Sequence, residues 1–290
     1  MNIPKLIILI GLPGSGKSTY AQKLKRQDND NMIILSSDAL RKELFGDETV
    51  QTQNNELFQE MQKRTFNFLN QGKTVIYDAT NMTRKSRASI INICPKFVQI
   101  EAHIIWAPVE TCIERDNKRK RIVGKDVIDS MVKRFQAPYY DEGINFIHME
   151  MPKDFDCYAY SMEVWKNMNI PHENPNHTHN IQEHCELAEE YAHNQNWESD
   201  IRLALLAHDC GKPYTKAFVN GKGEETEIAH YYQHQCVGAW ISYGLSYNPY
   251  VAWLISTHMD PMLDTTYYKN MPEFLKQGID KLHEADLAAH

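Results

Sequence analysis

Residues 5–19 read KLIILIGLPGSGKST, and this stretch decides the fold of the first half of the 290-residue chain. Lys5–Ile10 is a short apolar run rich in isoleucine, as expected of a strand buried on both faces. It feeds directly into GLPGSGKST, and TYAQKLKR beyond it has helical character. Strand, glycine-rich loop and helix in that order turn a string match into a phosphate-binding P-loop. In such a loop Gly11, Gly14, Ser15 and Gly16 present backbone N–H groups to phosphate, and the helix N-terminus adds partial positive charge. Lys17 is expected to reach the β- and γ-phosphates, and Ser18 to coordinate Mg²⁺, with Thr19 completing the run. ATP or another nucleoside triphosphate with Mg²⁺ is therefore the expected cofactor.

Working outward, MIILS at 32–36, KTVIYDAT at 73–80 and FVQIEAHIIW at 97–106 also read as strands. Between the first two, Leu57, Phe58, Met61, Thr65, Phe68 and Leu69 fall on one helical face. Alternating strands and helices predict an α/β domain with a parallel sheet and ligands at the C-terminal strand ends. Asp38 and Arg41, in SSDALR, stand at such an end. Asp38 can be read as the base for an attacking hydroxyl with Arg41 holding phosphate beside it, or Ser37 or Asp38 as a helix N-cap. Asp78, in YDATN, is placed to act on Mg²⁺ through water, with Thr80 and Asn81 near the acceptor, or is a strand-end turn. In VETCIERDNKRKR, Arg115 and Arg119 lie one helical turn apart beside Lys118, Lys120 and Arg121. This is either a solvated basic face or a lid whose arginines neutralise transition-state charge.

GLPGSGKST, SSDALR, YDATN, ERDNKR and VIDSMVKRFQAP together resemble the phage-type polynucleotide 5′-kinases, over about residues 4–150. The resemblance implies that Asp38 is the general base on a 5′-hydroxyl, that Arg41 assists it, and that Arg115 and Arg119 are the lid pair.

Composition changes beyond residue 150. Residues 1–150 carry 22 Lys/Arg against 18 Asp/Glu, and 151–290 carry 9 against 20. Eleven of the 13 histidines also lie in the second part. Pro152, Pro171 and Pro175 mark a linker expected at 151–176, dividing a domain at 1–150 from one at 177–290. From about residue 178 the periodicity is helical throughout, so an all-α bundle is expected. His184, the pair His208 and Asp209, His234, His258 and Asp286 recur on those helices. Gly211 is read as the helix stop that exposes the His-Asp pair. Imidazole with carboxylate suits an octahedral or near-octahedral divalent ion, and the lack of cysteine in the set argues against structural zinc.

NIQEHCELA, LLAHDCGKP, YYQHQCVGA and HEADLAA are similar to the HD-domain phosphohydrolases over about residues 172–290. The resemblance implies that His184, His208, Asp209 and Asp286 hold a first metal, and that His234 and His258 help hold a second, with His230 an alternative to His234. One or two divalent transition metals or Mg²⁺ would then activate water, and Lys212 would neutralise the phosphate. His177 and His179 either line that site or belong to a flexible linker. The chain ends four residues after Asp286, leaving this domain compact or trimmed.

A 5′-kinase joined to a phosphohydrolase implies repair of RNA or DNA ends: one domain adds a 5′-phosphate, the other removes a 3′-phosphate or 2′,3′-cyclic phosphate. A separate ligase is the further partner this implies. Known enzymes of this kind place the HD domain first, the reverse of the order here. The alternatives are a nucleoside kinase fused to a nucleotidase, a non-enzymatic nucleotide-sensing switch, and an HD half that cleaves a signalling nucleotide. No run is long enough to span a bilayer, and no secretion signal is expected. Six scattered cysteines (94, 112, 157, 185, 210, 236) then read as reduced thiols of a cytoplasmic protein.

Overall fold

The computed structural model describes residues 3–27, 31–47, 52–175, 178–246 and 248–290. Contacts divide the chain into two compact units: residues 1–131 with 138–153, and residues 132–137 with 154–290.

The first unit is a five-stranded parallel sheet with strand order β2-β3-β1-β4-β5. Its elements are β1 (Lys5–Ile10), α1 (Lys17–Gln27), β2 (Met32–Ser36), α2 (Ser37–Phe45), α3 (Asn54–Asn70), β3 (Thr74–Asp78), α4 (Arg84–Ile91), β4 (Gln99–Ile105), α5 (Val109–Asn117), α6 (Lys125–Val132) and β5 (Phe146–Glu150). Central β1 is buried from Leu6 to Ile10, which is why its sequence does not alternate. The face of α3 read from helical spacing is the one it buries, through Leu57, Met61, Thr65 and Leu69. The edge strand β5 was not expected. Its FIHME sequence is only half-buried, so it lacks the continuous apolar run of the inner strands.

The second unit carries α7 (Cys157–Met168), α8 (Ile181–Asn194), α9 (Ser199–Ala207), β6 (Ala217–Val219), β7 (Glu225–His230), α10 (His234–Ser246), α11 (Pro249–Thr257), two short turns α12 (Asp260–Leu263) and α13 (Thr266–Lys269), and α14 (Glu273–Ala288). Three expectations are corrected here. The stretch 151–176 is no plain linker: Asp156 caps α7, accepting from the Ala159 N–H at 2.9 Å, and Val164 and Met168 are buried. The bundle is not all-α, because β6 and β7 form an antiparallel hairpin around the Asn220–Gly223 turn. Residues 132–137, grouped by their sequence with the first domain, pack in the second. Phe135 meets Trp240 edge-on at 5.2 Å, and the Ala137 N–H donates to Ser256 Oγ at 3.3 Å.

Trp240, Trp253, Leu205, Leu254, Ile255, Ile279 and Leu282 form the helical core. Full burial of each large apolar side chain stabilises by roughly 1.5–3 kcal/mol. Asn180 and Glu183 form a capping box that starts α8, and Asn248 with Pro249 starts α11. Gly211 acts differently from a helix stop. Its φ of −81° is ordinary, and a Cβ there would overlap the His234 carbonyl oxygen. Glycine is required so that the loop after Asp209 can lie directly on the start of α10. Among the described residues no helix is long and apolar enough to cross a membrane.

Candidate active sites

A cleft of about 1050 Å³ opens at the C-terminal ends of β1 and β3, around the P-loop. Gly14 and Gly16 take left-handed φ values of +82° and +105°, turning the loop as phosphate binding requires. Gly11 instead anchors the loop, donating to the Thr80 carbonyl at 3.1 Å. Ser15 and Thr19 line the cleft with Gly14 and Gly16. Lys17 Nζ donates to the carbonyls of Gly11 and Leu12 at 2.9 and 2.8 Å. Burial draws its pKa down to about 8, against the pull of the Asp78 carboxylate.

Ser18 Oγ donates to Asp78 Oδ2 at 2.9 Å. Burial pushes the Asp78 carboxyl up, while Lys17 and the Ser18 bond oppose that shift. The hydroxyl and carboxylate are oxygen donors that fit Mg²⁺, and Ser18 and Asp78 are the residues that would hold it. Asn81 is not at the acceptor side: its amide donates to the Leu9 carbonyl at 2.7 Å, tying the end of β3 to β1.

Asp38 caps no helix. The N-cap of α2 is Ser36, and it makes no side-chain cap bond. Asp38 Oδ1 instead accepts from Arg41 at 3.1 Å and from Arg121 at 2.8 Å. Arg41 is 5% exposed and also donates to Asn54 at 3.0 Å; burial lowers its pKa, opposed by Asp38. Arg115, on α5, reaches the Gly14 carbonyl at 3.5 Å. Arg119 lies just past the end of α5 rather than one turn up it, and both arginines line the cleft.

Arg121 carries no sequence signal that sets it apart within its basic run; only the fold brings it to Asp38. Asp116, fully buried, is a second such residue. Its Oδ2 accepts from the Val123 and Gly124 N–H groups at 2.8 and 2.9 Å, folding the 118–124 loop so that Arg119 and Arg121 turn inward. Among the described residues seven cationic side chains and three carboxylates line the cleft, together with Phe58, Trp106, Ile122 and Met131. That balance suits a polyanion with an aromatic or apolar portion.

In the second unit five helices deliver one cluster. His184 comes from α8, His208 and Asp209 from the end of α9, His234 from the start of α10, His258 from the end of α11, and Asp286 from α14. Asp209 Oδ2 lies 3.8 Å from His184 Nε2 and 3.5 Å from His208 Nε2, while its Oδ1 lies 3.2 Å from His234 Nε2. Asp286 Oδ1 is 2.9 Å from His184 Nε2 and 3.4 Å from His208 Nε2. His234 and His258 face each other at 3.1 Å.

The backbone sets the imidazole tautomers. The Nδ1 atoms of His208, His234 and His258 donate to the carbonyls of Leu205, Tyr231 and Ile255 at 2.7, 2.8 and 2.8 Å. Each Nε2 then faces the shared centre, as metal-ligating histidines are oriented. His208 Nε2 is buried and makes no hydrogen bond. The imidazole and carboxylate donors include two sets with no residue in common, His184–His208–Asp286 and Asp209–His234–His258, and the two Asp209 oxygens turn toward different sets. This donor chemistry fits one or two divalent ions, with Asp209 placed to bridge.

Burial would raise the Asp209 carboxyl, but Lys212, His208 and His234 hold it well below the usual range. Asp286 is likewise held low by the bond from His184 and by His208 beside it, against burial. Burial opposes protonation of His208, yet Cys185 and Asp209 carry its pKa well above the ordinary value. Burial, with His234 and His208 nearby, drives His258 down to about 3.

Lys212 Nζ lies 2.6 Å from Asp209 Oδ2 and 3.2 Å from His172 Nε2. His172, which no sequence signal had singled out, is 1% exposed and donates through Nδ1 to the His179 carbonyl at 2.9 Å. His230 lies on β7, stacked on Tyr232, so the cluster uses His234. His179 contributes its carbonyl to His172, while its own ring stands 3.9 Å from Glu183. His177 lies outside the described residues. A cysteine does stand beside the cluster: Cys185 Sγ is 3.6 Å from His208 Nδ1, and it groups with His208 and Asp209, their donor atoms within 4.8 Å of one another.

The AAA domain family AAA_33 matches residues 6–138. L-seryl-tRNA(Sec) kinase of Methanococcus maripaludis is 31% identical over 147 residues, covering 46% of this chain and 53% of that protein. Transcription factor bHLH140 of Arabidopsis thaliana is 25% identical over 149 residues, covering 49% of this chain and 15% of that protein. The chain thus spans about half the length, or less, of these curated relatives. A chain in the structure of the Pnkp1/Rnl/Hen1 RNA repair complex is 28% identical, with 46% of this chain and 44% of that chain covered and a TM-score of 0.42. The first unit is a kinase-like P-loop α/β domain, a fold that implies a nucleotide with Mg²⁺.

Proposed function

We propose that this chain heals nucleic-acid ends. Its first unit phosphorylates a 5′-hydroxyl, and its second, an HD-type phosphohydrolase, removes a 3′-phosphate or 2′,3′-cyclic phosphate. The observation that carries this reading is the presence in one chain of two centres built from different side-chain chemistry. One is a P-loop with a carboxylate held among arginines; the other is a His/Asp cluster whose rings are pre-turned toward a common point.

In the first reaction the P-loop holds the triphosphate and Lys17 neutralises its β- and γ-oxygens. The acceptor hydroxyl oxygen attacks the γ-phosphorus, its proton passes to Asp38, and the bond to the diphosphate breaks. Arg41 and Arg121 orient Asp38, while Arg115 and Arg119 offset charge building on the transferred group. Ser18 and Asp78 would hold Mg²⁺, which shields the phosphate oxygens.

In the second reaction His184, His208, Asp209 and Asp286 would hold one divalent ion, and His234 and His258, with Asp209 between, a second. Such ions polarise a phosphoryl oxygen and acidify water. Lys212 orients Asp209 and offsets phosphate charge, and the backbone carbonyls keep the rings in the ligating tautomer.

A second reading, that the kinase phosphorylates a hydroxyl on an aminoacyl-tRNA, draws support from the L-seryl-tRNA(Sec) kinase similarity. One assay separates the two. The chain is incubated with ATP and divalent metals on RNA bearing 5′-hydroxyl and 2′,3′-cyclic phosphate ends, on the matching DNA, on seryl-tRNA and on free nucleosides. End healing requires 5′-phosphate and a freed 3′ end on an oligonucleotide. Phosphorylation of seryl-tRNA or nucleosides alone would sink it.

A further inference from the structure

We propose that Glu101, His103 and His148 of the first unit form a separate site for a divalent transition-metal ion, outside the P-loop cleft. Glu101 and His103 are two residues apart on β4 and therefore point to the same face of the sheet. His148, on β5, is the register partner of His103 in the parallel ladder, which brings its ring to that face as well. His103 Nε2 lies 3.1 Å, and His148 Nε2 3.9 Å, from Glu101 Oε2, and all three donor atoms fall within 4.8 Å of one another.

Ligands bound at about 2.0–2.2 Å with 90–110° between them stand roughly 3.0–3.5 Å apart. The His103–Glu101 spacing meets this as it stands. The His148 ring must close by about half an ångström on Glu101 Oε2 to reach that spacing, and it lies on an edge strand with half its side chain exposed.

The surroundings are arranged as a metal's outer shell is. Tyr20 Oη stands 2.8 Å from His103 Nδ1, able to accept its proton and leave the Nε2 lone pair for an ion. Lys5 Nζ and the Gln99 amide occupy Glu101 Oε1 at 2.9 and 2.5 Å, which leaves Oε2 turned toward the imidazoles. Lys5 offsets the single carboxylate charge, so the site relies on nitrogen donors. Two imidazoles and one carboxylate favour Zn²⁺, Co²⁺ or Ni²⁺ over Mg²⁺. Tyr20 also lines the nucleotide cleft from α1, the helix that begins at Lys17. An ion here would clamp that helix to β4 and β5.

The same distances could serve only as hydrogen bonds joining α1 to the sheet, and metal stoichiometry separates the two cases. The full chain is stripped with a chelator and dialysed without nucleotide against Zn²⁺, then against Co²⁺ with visible absorbance recorded. The expected result is that His148→Ala and His148→Phe each bind one ion fewer than the parent chain. Asp209→Asn, which damages the cluster of the second unit, should keep that ion and its Co²⁺ spectrum. Phe fills the space of the ring without donating, and circular dichroism verifies that each variant is folded. Folded His148 variants that bind as many ions as the parent chain overturn the proposal.

Discussion

In the P-loop cleft the phosphate cradle is mostly backbone and lies within nine consecutive residues, Gly11–Thr19. In the histidine cluster every donor is a side chain, and the donors are spread from residue 184 to residue 286 on five helices. The cleft is open and lined with long cationic side chains; the cluster is buried, with rings fixed by carbonyls. Phosphates carry charge to be neutralised, which suits flexible arginines that close on a ligand. A metal demands ligand positions good to a few tenths of an ångström, which suits short side chains on packed helices. Single substitutions should therefore cripple the cluster more completely than the arginines of the cleft.

The largest effect is expected at Asp209, whose two oxygens face both donor sets. Asp209→Ala should lower metal-dependent phosphate release by about a thousandfold, with 5′-phosphorylation within about twofold of the parent chain. End-labelled oligonucleotide assays measure both activities. Comparable loss of both would mean that the two centres are not independent. Asp38→Ala should do the reverse, reducing 5′-phosphorylation by about a hundredfold or more, the range of a lost general base. Intact phosphate release by that variant, measured on the same RNA, completes the pair.

A smaller effect probes how the cleft positions its arginines. Asp116→Ala removes the acceptor of two loop N–H groups and frees Arg119 and Arg121 to swing. Its kcat should fall about tenfold with little change in nucleotide KM, because displacement of a charged group by about an ångström costs that much or more. Asp116→Asn keeps the accepting oxygen and should recover most of the rate. Equal losses in the two variants would assign Asp116 to stability alone.

The same contrast explains what could be read from the sequence. A backbone-built loop is a local object, so GLPGSGKST placed β1, the turn and α1 at once. Asp38 and Arg41 were also legible, being three residues apart on one helix. Arg121 was not, because its partner is 83 residues away and its neighbours are equally basic. In the second unit His184, His208, Asp209, His234, His258 and Asp286 stand out by their recurrence on the helices, but only the resemblance groups them as one donor set, since helical periodicity alone does not say which histidines point inward. His172 escaped notice because it sits in an irregular stretch with no period to fix its face. The β6–β7 hairpin did have a signal, the NGKG turn at 220–223, hidden by the helical segments on both sides.

The subtlest difference between the two regions should appear in acid stability. Burial, with Lys212 beside it, lowers His172 to about 4, and burial with His234 and His208 lowers His258 to about 3, from an ordinary 6.5. In the unfolded chain both imidazoles take a proton near 6.5. Between about 6.5 and 4 the unfolded state therefore binds more protons, and stability falls as pH falls. His208 is shifted the opposite way, so its contribution is complete below 6.5 and declines only as pH rises above it. Asp209 and Asp286, held low in the fold, act below the window, where unfolded carboxylates take up protons. The chelator-treated chain should thus show a Tm that drops steadily from pH 6.5 to 4. His172→Gln, which removes one titrating group while keeping polar contacts, should flatten part of that slope. The experiment is thermal unfolding followed by circular dichroism at half-unit pH steps. A Tm that stays level across the window would show that the buried rings are not held neutral.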